Sequence, residues 1–244
     1  MRLLYTAYCV TLFSALFVLF FPFIFLCIQW DGGRRYAHEA VRVMGHIFFF
    51  LIGIPIKVDW RFRPDPKQAY VYCANHFSYL DIAVTGVVVP GFYAYIGKKT
   101  VKNIPLFGYM FARLHIMVDR DAARSRAYSL NKSIRTLASG RSIIIFPEGG
   151  FSEQEPPMMT YPFKDGAFIM AIQQQVPLVP LTLVNNYKIL PDKYPIRMHW
   201  GIIKVVFHEP ISTIGLTQAD MPALKEQSFR IIDAELHAFT HYAR

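Results

Sequence analysis

Acidic residues and cysteines are both scarce in this chain. Seventeen Asp and Glu stand against 26 Lys and Arg, and only three of the 244 residues are cysteine. Cys9, Cys27 and Cys73 are far apart, so neither a disulfide framework nor metal-ligand spacing is present. No G-x-G-x-x-G or phosphate-loop pattern occurs, so no organic cofactor is implied. A net charge of +9 and a pI near 9.5 suit a nucleic-acid partner, but no nucleic-acid-binding motif accompanies them.

The longest absence is of charge itself. Leu3 to Ile28 holds no charged residue, and a helix of that length reaches roughly 39 Å, more than the ~30 Å hydrocarbon core of a bilayer. A cleaved signal peptide fits poorly, because only Arg2 precedes the run and Gln29 to Gly33 offers no A-x-A-like site. The next segment, Tyr36 to Val58, carries His38, Glu39, Arg42 and His46, and its apolar part, Ile47 to Ile56, is too short to span. With Asp31-Gly32-Gly33-Arg34-Arg35 between them, the two pieces read as a helical hairpin over residues 1–57. It either dips into one leaflet or crosses with its first helix. Arg34 and Arg35 favour a cytoplasmic face for the remainder of the chain in both cases.

Residues 58–244 are long enough for one α/β domain with a substantial core. Ile56–Trp60, Ala69–Ala74, Phe92–Ile96, His115–Val118, Ser142–Phe146, Leu178–Val184 and Ile202–Phe207 read as seven strands interleaved with helices. The excess positive charge is local: Lys98 to Arg141 holds ten Lys or Arg against two aspartates, a net +8. Within it, Ala123, Ala127, Leu130, Ile134 and Leu137 keep helical spacing, which predicts a solvent-facing side bearing Arg124, Lys132 and Arg135. Such cations suit an anionic membrane surface, and also the phosphates of coenzyme A or an acidic carrier protein.

Asn75-His76-Phe77-Ser78-Tyr79-Leu80-Asp81 is the segment richest in chemistry. Five residues along one helix turn roughly 500°, so His76 and Asp81 meet only if His76 sits in a loop and Asp81 in the first turn of the helix Leu80–Val89. A carboxylate on one imidazole nitrogen fixes the tautomer and leaves the other able to take a proton from a hydroxyl. A surface histidine beside a capping aspartate fits the heptapeptide equally well. Cys73 reads as a core thiol and Ser78 as a helix cap rather than as nucleophiles. His237 and His241, four apart after a Thr217-x-x-Asp220 capping signal, have no companion ligands and read as solvated.

A second segment shifts the balance toward the catalytic reading. Ser142–Phe146 runs into Pro147-Glu148-Gly149-Gly150, a turn at a strand's carboxyl end, where open α/β sheets bind ligands. Asn75-His76-x4-Asp81 and Phe146-Pro147-Glu148-Gly149 together resemble the signature blocks of the glycerolipid acyltransferase family, best known for 1-acylglycerol-3-phosphate acyltransferases. Lys98 with Ile104-Pro105-Leu106-Phe107-Gly108, then Asp119-Arg120, Phe163-Lys164-Asp165-Gly166 and Val176-Pro177-Leu178-Val179-Pro180-Leu181, resemble further family blocks in order. The likeness covers about residues 57 to 210. Two departures stand out: Thr100 replaces a glutamate, and Gly150 and Phe151 replace the threonine and arginine that come after F-P-E-G in the family.

The resemblance implies an acyltransferase-type domain, with a central mixed sheet of about seven strands flanked by helices, behind the hairpin. It implies transfer of a fatty acyl group from acyl-CoA or acyl carrier protein to the hydroxyl of a lysolipid, with His76 as base and Asp81 as its orienter. No cofactor, metal or covalent acyl-enzyme is needed, since the thioester is already activated. Asn75, Lys98, Arg120, Glu148, Gly149 and Lys164 are the implied substrate-binding residues. 1-Acylglycerol-3-phosphate is the implied acceptor, and loss of the family arginine keeps a phosphate-free lysolipid, such as a lyso-aminolipid, as the alternative. A thioesterase or an inactive membrane-binding protein are the readings from other classes.

Overall fold

The computed structural model describes residues 2–150, 154, 157–192 and 194–240, Thr240 without its side chain. Phe151 and His241 lie outside the described residues. The chain opens with α1 (Arg2–Cys27), a 3-10 turn at Asp31–Gly33 and α2 (Arg34–Leu51). These helices form an antiparallel hairpin. Tyr8 Oη donates to Leu51 O at 3.0 Å and Phe13 meets Phe48 edge-on at 5.6 Å, so the start of α1 lies beside the end of α2. Gly33 makes the turn possible, since a Cβ there would strike the Cys27 carbonyl and the Trp30 ring.

The sheet has seven strands among the described residues. In chain order they are β1 (Ile56–Trp60), β2 (Val71–Ala74), β3 (Tyr93–Lys98), β4 (Ile116–Val118), β5 (Ser142–Ile145), β6 (Leu178–Leu183) and β7 (Ile203–Phe207). Their spatial order is β1-β7-β6-β2-β5-β3-β4, parallel throughout except for the β6–β7 pair. Strand β2 lies between β5 and β6 and is buried along its whole length, as expected of a parallel strand covered on both faces. All seven sequence-read strands are present, with ends displaced by up to two residues. Val71 rather than Ala69 opens β2, because the Tyr70 amide is taken by the Ser142 hydroxyl at 3.1 Å. Strand β3 runs on to Lys98, which pairs opposite Val118.

Helices α3 (Leu80–Val88), α4 (Phe107–Leu114), α5 (Ala123–Ala138), α6 (Gly166–Gln174), α7 (Asn186–Ile189) and α8 (Met221–Thr240) cover the sheet or join its strands. One face of α2, with Ala37, Ala40, Met44 and Phe48 at helical spacing, packs into the same apolar cluster as Tyr72, Val84 and Tyr93. The hairpin is therefore continuous with the core of the sheet.

On α5, Arg124 and Arg135 are exposed as expected, whereas the side expected to be buried needs correction. Ala123 and Ala127 are exposed, whereas Ser129 and Ser133 are buried and Lys132 is partly covered. The serine hydroxyls can be buried because they donate within the helix, to Arg126 O at 2.9 Å and Ser129 O at 2.8 Å. The capping signal before α8 is present: Thr217 N donates to Asp220 Oδ2 at 2.8 Å.

Candidate active site

The parallel register of β2 and β5, with Cys73 opposite Ile145, carries the chain after each strand to the same edge of the sheet. Asn75-His76 and Phe146-Pro147-Glu148 thus become neighbours although some 70 residues separate them. Their backbones are tied by Glu148, whose Oε1 accepts the His76 amide at 2.7 Å and whose Oε2 accepts the Thr160 amide at 3.0 Å. The imidazole of His76 stacks on Phe146 with centroids 4.0 Å apart.

His76 sits in the loop and Asp81 in the first turn of α3. His76 Nδ1 and Asp81 Oδ2 are 3.0 Å apart, in surroundings that leave Asp81 almost no contact with solvent. The same oxygen accepts the amides of Phe77 and Ser78, each at 2.8 Å, while Oδ1 accepts Asn186 Nδ2–H at 2.7 Å. Four donors therefore satisfy a buried carboxylate that would otherwise be costly. The arrangement fixes Nδ1–H toward Asp81 and leaves Nε2 as the nitrogen able to accept a proton.

Glu148 is buried, and burial pushes its carboxyl up to about 8 despite the two amide donors, with the Asp81 charge adding to the rise. Its oxygens are occupied by backbone, which makes it a clasp between two loops. Asn75 has a similar place. Its side chain exchanges two hydrogen bonds with the Leu183 backbone, at 3.0 and 2.8 Å, and is fully buried, so it braces the end of β2 against β6.

A cleft of about 630 Å³ has Phe146, the ring stacked on His76, in its wall, while His76 and Asp81 themselves do not line it. Arg120, Arg126, Lys164, Ser129 and the Lys225–Asp165 ion pair, at 2.6 Å, supply its polar lining, above an apolar floor that includes Ile145 and Met170. Arg120 Nη1 donates to the Gly149 carbonyl, and Lys164 lies across Gly149 so closely that any Cβ there would collide with it. Gly149 also has φ +79°, a second reason for glycine. Lys98 stands apart: it is exposed where the chain leaves β3 and does not line the cleft.

The other reactive-looking groups have structural partners. Cys73 is fully buried and burial pushes its thiol up to about 12. Ser78 donates its hydroxyl to Leu190 O at 2.6 Å and accepts the Leu80 amide at 3.1 Å. His237 lies 3.5 Å from Asp233 on α8. No group of three His, Cys, Asp or Glu suited to a metal occurs among the described residues. Asn186, which holds Asp81, and the cleft residues Arg126 and Lys225 are not singled out by the sequence. The only sequence signal of Asn186 is a position just beyond the V-P-x-x-P-x strand.

A histidine held by an aspartate at the carboxyl edge of a mostly parallel sheet, with Phe146 leading from it to a cationic cleft, is an arrangement suited to general-base chemistry. The chain belongs to the Acyltransferase family, whose model matches residues 56–184. It is 31% identical over 190 residues to the Saccharomyces cerevisiae protein named 1-acyl-sn-glycerol-3-phosphate acyltransferase, covering 76% of this chain and 62% of that one. It is also 31% identical over 191 residues to human 1-acyl-sn-glycerol-3-phosphate acyltransferase alpha, covering 78% and 66%. The chain thus spans less than two thirds of the length of these relatives. Its fold matches the crystal structure of the 1-acyl-sn-glycerophosphate (LPA) acyltransferase PlsC from Thermotoga maritima with a TM-score of 0.78, over 100% of this chain and 99% of that one, at 20% identity.

Proposed function

We propose that the protein is a membrane-associated O-acyltransferase that moves a fatty acyl group from a thioester donor, acyl-CoA or acyl carrier protein, to the free hydroxyl of 1-acylglycerol-3-phosphate. The observation that carries this reading is the 3.0 Å contact of His76 Nδ1 with an Asp81 carboxylate whose other bonds are all made. His76 Nε2 takes the hydroxyl proton as the acceptor oxygen attacks the thioester carbonyl carbon. The tetrahedral intermediate collapses with cleavage of the C–S bond, and His76 returns the proton to the departing thiolate. Asp81 stabilises the imidazolium in between. Neither Cys73 nor Ser78 takes part as a nucleophile.

Arg120 and Lys164 receive the acceptor's phosphate in the cleft, in place of the arginine that the family carries after F-P-E-G. The apolar floor takes up an acyl chain. Lys98, exposed at the end of β3 and outside the cleft, adds to the positive field that draws anionic substrates toward this edge of the sheet.

Membrane association rests on α1, the one helix among the described residues long and apolar enough to cross a bilayer. Its packing favours lying within one leaflet. Thr6 near its start accepts the Met198 amide, Phe17 in its middle meets Phe107, and Phe25 near its end meets Tyr109. A 26-residue helix held along its length by one domain has no free run with which to cross. The opposite side of α1 exposes Leu3, Leu4, Val18, Leu19, Phe23 and Leu26. Arg34 and Arg35 at the hairpin turn favour the cytoplasmic face.

The test is release of thiol from acyl-CoA by the purified protein, with and without lysophosphatidate. Acyl transfer predicts release that depends on the acceptor and is matched by phosphatidate formed. Release at the same rate without any lipid hydroxyl means a thioesterase.

A further inference from the structure

The segment between α7 and β7 joins the catalytic motif to the hairpin. Leu190 at its start accepts the Ser78 hydroxyl, and His199 N donates to Ile189 O at 2.7 Å, closing the segment into a loop. At its far end the Met198 amide donates to Thr6 Oγ1 at 2.9 Å, and Trp200 Nε1–H donates to Gly53 O at 2.6 Å. Met198 is buried under α1. The other apolar side chains point outward: Tyr194 is 97% exposed, Ile196 50% and Trp200 65%. Beside them, at the open end of the hairpin, Leu3, Leu4, Tyr8, Phe50 and Leu51 are exposed as well. A contiguous apolar patch of this kind marks an interaction surface.

We propose that the loop at 194–200 is a second bilayer contact, made by the catalytic domain itself, at which the lysolipid acceptor leaves the membrane for His76. The inference rests on the membrane reading above. Three observations select a bilayer as the occupant. The patch is continuous with the apolar face of α1. Two of its three side chains are Tyr and Trp, whose amphipathic rings settle at the headgroup level. Among the described residues of the segment 188–200, Lys188 and Arg197 are exposed cations and Asp192 is the one carboxylate, a balance that suits anionic headgroups. Because Leu190 is bonded to the Ser78 of the motif, a lipid held at this loop lies one short segment from the base.

The chain has three tryptophans, so full-length protein with Trp30→Phe and Trp60→Phe reports on Trp200 alone. Its fluorescence is measured on phosphatidylcholine–phosphatidylglycerol vesicles with brominated acyl chains, alongside sedimentation with the same vesicles. The expected result is quenching of Trp200 in the bound protein. In parallel, the double variant Tyr194→Ser, Ile196→Ser should raise the ratio of KM for vesicle-borne long-chain lysophosphatidate to KM for a dispersed short-chain one, by roughly two- to tenfold. Protein that sediments with vesicles while Trp200 stays unquenched overturns the proposal and leaves the hairpin as the sole anchor. Shielding of Trp200 by a second copy of the chain, seen as a dimer in detergent, overturns it equally. Failure to sediment at all overturns the membrane reading, and this inference with it.

Discussion

Asn186 donates to Asp81 at 2.7 Å across 105 residues of sequence, so the orienter of the histidine is itself held from the far side of β6. Removing a hydrogen bond to a buried charged group costs about 1.5–3 kcal/mol, roughly ten- to a hundredfold in rate if that strain falls on the transition state. Asn186→Ala should therefore lower kcat by about that factor with little change in KM for either substrate. Steady-state kinetics with both substrates varied checks this. A change confined to KM would place Asn186 in substrate binding instead.

Glu148 makes stability depend on pH. Its folded carboxyl is raised to about 8 from an ordinary 4.5, so the native state holds a proton that the unfolded chain has released. The stabilisation is complete below about pH 4.5 and is lost as pH rises toward 8, at up to about 1.4 kcal/mol per pH unit. Glu148→Gln keeps one acceptor for the His76 amide but cannot ionise. Its unfolding free energy should fall less between pH 5 and 8 than that of the wild type, measured by denaturant titration at each pH.

Arg120 tests the acceptor. If it receives phosphate in the cleft, Arg120→Ala raises KM for lysophosphatidate by about tenfold or more and leaves a phosphate-free lysolipid nearly unaffected. Higher kcat/KM for the phosphate-free lipid in the wild type, with no effect of Arg120→Ala, would reassign the acceptor while keeping the acyl transfer.

The hairpin shares a core with the sheet, and removing it uncovers Tyr72, Val84 and Tyr93. A chain beginning at residue 58 should therefore have a Tm lower by about 10 °C or more, on the order expected from losing several buried apolar contacts, or fail to remain soluble. Full-length protein should resist extraction by high salt and yield to detergent. Differential scanning fluorimetry and membrane washes check both.

Most strands were legible as short buried apolar runs and β1 by its apolar–charged alternation, and the His76–Asp81 pair because a loop followed by a first helical turn brings that spacing together. Strand order was not legible, and whatever depends on it was missed. Asn186 reaches Asp81 only because β6 lies next to β2. For the same reason Asn75, expected at the substrate, spends its amide on Leu183. Glu148, expected to hold the acceptor, clasps the backbones of His76 and Thr160, a contact set by the β2–β5 register. On α5 the apolar positions predicted the wrong face near its start, since serines that satisfy their own hydroxyls can take core positions.

The proposed acyl transfer turns on His76, held by Asp81, acting as the base. Its most direct test is the single-turnover rate of lysophosphatidate acylation for Asp81→Asn beside the wild type, with folding verified by an unchanged Tm. The amide still accepts the Phe77 and Ser78 amides but no longer holds Nδ1–H through a charge. The predicted loss is on the order of 10⁴-fold, the size seen when the orienting aspartate of a serine protease is amidated. A folded Asp81→Asn protein that acylates at near wild-type rate would contradict the account.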